Sequence, residues 1–96
     1  MKITVREDTG TVIAYLEGRF TFDTHREFRQ LVRQLVGAKH ITFDFTKTTY
    51  LDSSALGMLL LAKDELSGAE IILQNAVKEV AAVLEIACFR KLFIMK

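Results

Sequence analysis

A polar segment stands directly before the most hydrophobic part of the chain, and this junction limits what the chain can fold into. Asp52, Ser53 and Ser54 come just ahead of residues 58–62, which are uninterrupted and apolar. Successive residues of a helix point about 100° apart, so consecutive leucines cannot all face one core. We therefore expect a helix over residues 53–66, some of whose apolar surface is either deeply buried or faces a partner.

Size and charge restrict the classes of function. The 96 residues are enough for one domain, expected to span residues 1–96, and half of them are hydrophobic, which is enough for a single core. The net charge of +1 gives no basic excess for nucleic acid or an anionic membrane. A single cysteine, no pattern of a signal peptide and no apolar run of membrane-spanning length favour a cytoplasmic protein.

Hydrophobic periodicity predicts the element order ββαβαβαβ, an α/β fold in which helices pack against a mixed sheet. The predicted strands cover residues 2–7, 11–17, 40–45, 71–73 and 93–95, and the predicted helices cover 24–36, 53–66 and 75–87. Residues 8–10 are typical of a hairpin turn, whereas residues 18–23 and 46–49 are predicted to be loops.

Local signals indicate where the other two helices begin and end. Thr24 with Glu27 three residues later matches a capping box, Gly37 is a C-terminal glycine, and Asn75 is a candidate N-cap of the third helix. The inward face of the first helix is predicted from its spacing to hold Phe28, Leu31, Val32 and Leu35, with Val36 as a further candidate. Cys88 ends an apolar helix face and is expected in the core.

The chemistry of residues 52–54 allows two interpretations. In the simpler one, Asp52 or Ser53 caps the helix, accepting a hydrogen bond from a free backbone N–H and stabilising the helix by about 0.5–2 kcal/mol. In the other, a serine at the start of the helix is a modification site. The free N–H groups and the positive end of the helix dipole favour a phosphate there, and an apolar partner surface cannot desolvate it.

Two sequence patterns resemble one known family. Residues 43–45 followed by Leu51-Asp52-Ser53-Ser54-Ala55-Leu56-Gly57 resemble the signature of STAS domains, the anti-sigma factor antagonists. The segment 16–20, Leu-Glu-Gly-Arg-Phe, resembles the glycine motif earlier in that family. Residues 48–61 are similar to the stand-alone proteobacterial branch, whose members work with a response regulator that carries kinase and phosphatase domains.

The resemblance implies a non-enzymatic regulator that switches partners and needs no cofactor or metal of its own. The family's phosphorylated serine corresponds to Ser53, and Asp52 is expected to help position its hydroxyl. The unphosphorylated form is expected to bind an anti-sigma factor. Phosphorylation by a serine kinase is expected to release that anti-sigma factor, and a PP2C-type phosphatase is expected to restore the unphosphorylated form. Residues expected to support the phosphosite or to dock partners are Phe20, Thr21, Phe22, Asp23, Asp52, Ser54, Ala55, Leu56 and Gly57.

Two positions depart from the family pattern. Many relatives carry an acidic residue just after the glycine motif, where this chain has Thr21, and Asp23 follows two residues later. Ala55 stands where glycine is more common. Phe20 and Phe22 are expected on the side of Ser53, with at least one ring filling the end of the sheet. Either both rings do so, or the pair provides an apolar rim for a partner.

In a rival interpretation, the chain is the STAS subunit of an ABC lipid transporter. It would then bind an ATPase constitutively through the same surface around residues 52–57. Such relatives tend to carry Asp-Thr-Gly where this chain has Asp52-Ser53-Ser54, so the paired hydroxyls favour the switch. Hydrolysis is disfavoured because His25 and His40 have no triad spacing with Ser53. The oligomeric state stays open between a monomer and a weak homodimer, for which exposed apolar surface on the second helix is one candidate interface.

Overall fold

The computed structural model describes residues 1–96, arranged as one mixed sheet with three helices. The strands are β1 (Lys2–Asp8), β2 (Thr11–Phe20), β3 (His40–Asp44), β4 (Thr48–Leu51), β5 (Glu70–Gln74) and β6 (Ile94–Met95). The helices are α1 (His25–Leu35), α2 (Ser53–Glu65) and α3 (Lys78–Ile86), and single 3₁₀ turns occupy Phe22–Thr24 and Phe89–Lys91. The predicted α/β class is confirmed, with one strand more than the predicted order.

The sheet order is β1-β2-β3-β5-β6, with β4 beside the far end of β2. Strands β1 and β2 form an antiparallel hairpin, in which Thr9 and Gly10 both have positive φ angles (47° and 83°) as a tight turn requires. Every other strand pair is parallel. Because parallel strands end at the same edge of a sheet, the segments after β2, β3, β4 and β5 meet there.

One face of the sheet carries the core against the helices. Phe28 of α1 packs between two rings of the sheet, with centroids 4.8 Å from Phe20 and 5.5 Å from Phe43. Fully buried side chains that complete this core include Leu16, Ile41, Phe45, Leu59, Leu73, Val80, Leu84 and Phe89. Helices α1 and α2 lie side by side on this core, and α3 packs against β4.

Helix α2 divides its apolar residues between the core and the surface. Ala55, Leu59 and Ala62 are buried, whereas Leu60 and Leu61 remain 42% and 62% exposed. Of the two expected explanations for this apolar surface, deep burial therefore does not account for Leu60 and Leu61. All of the helices fall short of the length and apolar content that crossing a bilayer requires.

Strand β4 is the main error of the predicted element order. The segment 46–49 was expected to be a polar loop and β2 was expected to end at residue 17, but Gly18–Phe20 pairs in parallel with Thr48–Leu51. Thr48 is 1% exposed and its hydroxyl donates a 2.6 Å hydrogen bond to the carbonyl of Leu16. A satisfied hydroxyl lets a threonine-rich segment lie inside the fold.

Two expected caps have other partners. The Thr24 hydroxyl accepts from the backbone N–H of Thr21 (3.2 Å) and donates to its carbonyl (2.7 Å), so it closes the 3₁₀ turn instead of pairing with Glu27. Helix α3 begins at Lys78 after Val77, and Asn75 lies outside it in a left-handed conformation (φ 60°). Thr24 does precede the first residue of α1, as predicted, but its capping box with Glu27 was wrong, and so was the prediction of Asn75 as a cap.

Two side chains expected inside the protein lie on its surface. Val36 follows the last residue of α1 and is 65% exposed, because the chain has already left the helix before Gly37 turns it at φ 94°. Cys88 is exposed, because it adopts a left-handed conformation (φ 61°) just beyond α3, where the apolar face has ended. Both predictions extended a helical face past the end of its helix.

A buried carboxylate fixes the connections after β3 and β5. Asp44, 4% exposed, accepts hydrogen bonds from the backbone N–H of Thr46 (2.8 Å) and from the side-chain amides of Gln74 (2.8 Å) and Asn75 (3.0 Å). Burial on its own raises the pKa of Asp44, but the bonds from these three residues outweigh it and hold the pKa below its ordinary value.

The lowered pKa of Asp44 predicts a pH-dependent contribution to stability. The contribution is fully present above the carboxyl's unfolded-state pKa and is lost as the pH falls through the lower folded-state pKa. We expect Asp44→Asn to lower the free energy of unfolding by about 1–3 kcal/mol at pH 7. The gap between variant and wild type should narrow in acid, as followed by urea denaturation.

The control for this experiment is Asp64→Asn, because Asp64 is an exposed carboxylate without a side-chain hydrogen bond. Its free energy of unfolding should stay within about 0.5 kcal/mol of wild type at either pH. A gap for Asp44→Asn that stays constant from neutral to acidic pH would contradict the role assigned to the ionised carboxylate.

Candidate functional site

The first turn of α2 is held by the side chain that precedes it. Asp52 is extended (φ −100°, ψ 178°), and its Oδ1 accepts a 2.9 Å hydrogen bond from the backbone N–H of Ala55. The geometry is that of an N-cap, in which one side chain satisfies an N–H group that the helix itself leaves free. The expectation that Asp52 or Ser53 caps the helix is fulfilled by Asp52, which leaves the Ser53 hydroxyl uncommitted.

The second oxygen of Asp52 binds a distant segment. Its Oδ2 accepts a 3.2 Å hydrogen bond from the backbone N–H of Phe22, 30 residues earlier in the chain. The backbone of Asp52 also donates to the carbonyl of Phe20 (3.3 Å). The start of α2 and the connection from β2 to α1 are therefore tied together through one residue.

Ser53 is the first residue of α2 and its side chain is exposed. Ser54 is half-buried, Ala55 is completely buried, and Leu56 is half-buried. Gly57 is exposed, and a β-carbon added there would meet nothing within 4 Å. Packing therefore does not require glycine at position 57. The absence of a side chain there leaves the surface one turn beyond Ser53 unobstructed.

The expected residues of the β2–α1 connection lie beside this turn. Phe20 is fully buried, whereas Phe22 is 63% exposed, which agrees with the expectation that at least one ring fills the end of the sheet. Thr21 is half-buried at the start of the 3₁₀ turn. Asp23 is exposed and its carboxylate makes no hydrogen bond or ion pair, so nothing in the geometry gives it a role.

Two side-chain pairs near the site escaped sequence reasoning. His25 stacks on Phe22 with 4.9 Å between ring centroids, and its Nδ1 donates to the Phe22 carbonyl at 2.8 Å. The guanidinium of Arg19 lies 4.4 Å from the ring centroid of Tyr50, which precedes Leu51 and Asp52. The first pair could have been found from helical spacing, but the second depends on the unpredicted pairing of β4 with β2.

Neither a deep cavity nor a metal cluster accompanies Ser53. The largest concavity, about 700 Å³, lies at the other end of α2 and includes Lys63, Gly68 and Leu92. No three His, Cys, Asp or Glu side chains come together as a metal-binding group. The surface around Ser53 is made of a helix start and a neighbouring turn, and the exposed side chain is accessible to another protein.

Comparison of the sequence with family models identifies the family of this chain. The sequence model of the STAS domain matches residues 2–96, which is nearly the whole chain. The chain belongs to the STAS domain family. The resemblance inferred from the Asp52-Ser53-Ser54 motif is thereby confirmed.

Relatives and solved structures give the family context. A STAS-domain containing protein of Pseudomonas aeruginosa (strain UCBPP-PA14) is 42% identical over 81 residues, covering 81% of this chain and 80% of that protein. The structure of an anti-sigma factor antagonist from Mycobacterium paratuberculosis matches with a TM-score of 0.87 at 15% identity, covering 98% of this chain and 83% of its own.

The Bacillus protein SpoIIAA has been solved in two forms that share the fold. Its unphosphorylated form, named an anti-sigma factor antagonist, has a TM-score of 0.74 and 22% identity, with coverage of 99% and 87%. Its phosphorylated form has a TM-score of 0.74 and 21% identity, with coverage of 99% and 91%. At these identities the likeness establishes the fold of this chain, and the role of Ser53 stays a prediction.

The double hydrogen bond of Asp52 predicts a measurable loss when it is removed. We expect Asp52→Ala to lower the free energy of unfolding by about 1–2 kcal/mol, because the variant frees the N–H groups of both Ala55 and Phe22. Amide hydrogen exchange should accelerate at both residues. Asp52→Asn should lower the free energy of unfolding by less, since its side-chain amide oxygen can still accept one hydrogen bond.

The matched control is Asp23→Ala, which removes an exposed carboxylate one residue from Phe22 without removing a hydrogen bond. It should change stability by less than about 0.5 kcal/mol. Equal stability of the two alanine variants, or unchanged exchange at Phe22, would show that Asp52 does not join the two segments.

Proposed function

We propose that the protein is an anti-sigma factor antagonist that exchanges partners through phosphorylation of Ser53. In this proposal the unphosphorylated protein binds an anti-sigma factor, and the phosphorylated protein releases it. The observation that carries the proposal is the exposed Ser53 hydroxyl at the start of α2, next to a capping carboxylate that leaves it free.

The position of Ser53 supports phosphorylation without unfolding. The hydroxyl lies at the positive end of the α2 dipole, where a phosphate is electrostatically favoured. No acidic residue lies within the first turn of α2, although Asp52 precedes it. The carboxylate of Asp52 already accepts hydrogen bonds from two backbone N–H groups, which partly offset its negative charge beside the phosphate.

The chemistry of the step belongs to a kinase partner. The Ser53 oxygen attacks the γ-phosphorus of ATP held by that kinase, the bond from this phosphorus to the bridging oxygen breaks, and ADP leaves. A base of the kinase takes the hydroxyl proton. Asp52 acts as a positioning residue, because it fixes the turn that presents Ser53. A PP2C-type phosphatase reverses the change by hydrolysis. A response regulator that carries both domains is one candidate source of the two activities, and the similarity of residues 48–61 to the stand-alone proteobacterial branch supports it.

The surroundings of Ser53 support release of an apolar partner. Phe22 on one side and Leu60 and Leu61 along α2 are exposed apolar side chains, at 63%, 42% and 62%. A partner that covers them must also exclude water from Ser53 or its close neighbourhood. A phosphate there carries nearly two negative charges, and its desolvation opposes docking. The names of the structural relatives support an anti-sigma factor as that partner.

Phosphosite mapping tests the proposal. We expect protein purified from its native host, and protein incubated with its kinase and ATP, to carry one phosphate on Ser53 by mass spectrometry. Ser53→Ala should abolish the modification, while Ser54→Ala should retain it. Ser53→Asp should weaken binding to the anti-sigma factor at least about tenfold, whereas Ser53→Ala should bind like wild type.

The opposing results are equally specific. A phosphate on Ser54 or elsewhere, or unchanged anti-sigma factor binding by Ser53→Asp, would refute the switch. Protein that is never modified and co-purifies with an ATPase would favour the transporter subunit in its place. A Ser53→Asp variant that fails to fold is recognised by its circular dichroism, and the phosphorylated wild-type protein then replaces it in the binding assay.

A further inference from the structure

Strand β1 is an uncovered edge of the sheet. It pairs only with β2, and none of the remaining backbone hydrogen bonds involves Lys2–Asp8. It is seven residues long, its pairing is regular, and the chain contains no proline. The opposite edge, β6, has only two residues. A long regular edge with free N–H and C=O groups can accept another strand.

The side chains of β1 divide between two faces of the sheet. Ile3, Val5 and Glu7 lie on the core side, as their partners in β2 include the buried residues Leu16 and Ala14. The opposite face carries Lys2, Thr4, Arg6 and Asp8. A two-fold axis perpendicular to the sheet keeps each face on its own side, so only residues of one face can lie opposite each other.

The charges select one register for pairing between two copies of β1. With the axis at Val5, Lys2 of each copy lies opposite Asp8 of the other. With the axis at Thr4, Lys2 lies opposite Arg6, and with the axis at Arg6, two arginines lie opposite each other. Opposite charges across antiparallel strands stabilise the pair, whereas like charges destabilise it. The same charged side chains therefore disfavour pairing with the axis at Thr4 or Arg6 and favour pairing with the axis at Val5.

We propose that two copies of this chain pair through β1 as an antiparallel, two-fold dimer with Val5 at the axis. The two six-stranded sheets then become continuous. Val5 is 44% exposed in the single chain, and together with Ile3 and Leu31 it contributes to a groove of about 290 Å³ between β1 and α1. The dimer brings two such grooves together, each with Ile3, Val5 and Leu31 as apolar lining and with Glu27, Gln30 and Gln34 of α1 as polar lining.

The dimer is separate from the proposed switch. Ser53 lies on α2, and its surface includes Phe22 and Leu61 but no residue of β1. Variants of β1 therefore leave the phosphosite intact, and the two proposals can fail independently. A dimer with both Ser53 residues exposed offers two docking surfaces to a partner.

Charge reversal with rescue tests the register by analytical ultracentrifugation. We expect wild-type protein to self-associate to a mass of two chains. Lys2→Glu and Asp8→Lys should each weaken the dimer about tenfold, because each turns two symmetric attractions into repulsions. The double variant Lys2→Glu/Asp8→Lys restores opposite charges and should recover wild-type dimerisation, which a nonspecific effect of mutation would not do.

Cysteine crosslinking tests the axis directly, in a Cys88→Ser background that removes the exposed native thiol. Val5→Cys should form an intermolecular disulfide on mild oxidation, since the two side chains lie opposite each other. Thr4→Cys should not, because its neighbours across the axis are two residues out of register, about 7–8 Å away. Leu61→Cys marks the alternative of dimerisation through α2.

Three results would overturn the proposal. The first is a mass of one chain at every concentration up to about 1 mM. The second is a dimer whose affinity is unchanged in each single charge-reversal variant, or whose affinity is not recovered in the double variant. The third is crosslinking of Leu61→Cys in preference to Val5→Cys, which would place the interface on α2.

Discussion

The carboxylate of Asp52 is the interaction on which the geometry of the site depends. One oxygen satisfies a free N–H at the start of α2 through Ala55, and the other holds the backbone of Phe22, so a single side chain joins segments 30 residues apart. Such an arrangement needs both segments delivered to the same edge of the sheet. The parallel pairing of β4 with the end of β2 delivers them. The Asp52 carboxylate adds the side-chain link that holds the Phe22 backbone beside the start of α2.

Helix α2 serves the fold and the surface with different residues. Ala55, Leu59 and Ala62 anchor it in the core, and this anchoring allows Leu60 and Leu61 to remain exposed without loss of the fold. A modification at the first residue of such a helix adds charge to the surface while the core contacts stay unchanged. In the proposed switch, the docking surface can therefore change its charge while the core contacts that stabilise the fold persist. The unpaired edge at β1 lies outside this division and gives the chain a second surface.

The fold and the start of α2 could be predicted because their signals are local. Alternating apolar residues mark the strands, and the Asp52-Ser53-Ser54 motif before an apolar run marks the helix. The remaining features depend on contacts between distant residues. Strand β4 is short and threonine-rich, and it depends on backbone pairing with β2 and on the hydrogen bond from the Thr48 hydroxyl to the Leu16 carbonyl. Asn75 looks like a cap by sequence, but the buried carboxylate of Asp44 binds its side chain instead. The second bond of Asp52 has no sequence signal at all, because its partner is a backbone N–H.

The most direct test of the account is an NMR comparison of the unphosphorylated and Ser53-phosphorylated proteins. Backbone amide shifts and hydrogen exchange would be measured for both forms. The account predicts shift changes confined to residues 21–25 and 52–57, with unchanged slow exchange in β2, β3 and β5, because the phosphate is added to an exposed hydroxyl on an intact helix start. Shift changes throughout the sheet, or a loss of protection in the core of α2, would show that phosphorylation acts by unfolding the helix and would contradict a switch that operates at the docking surface.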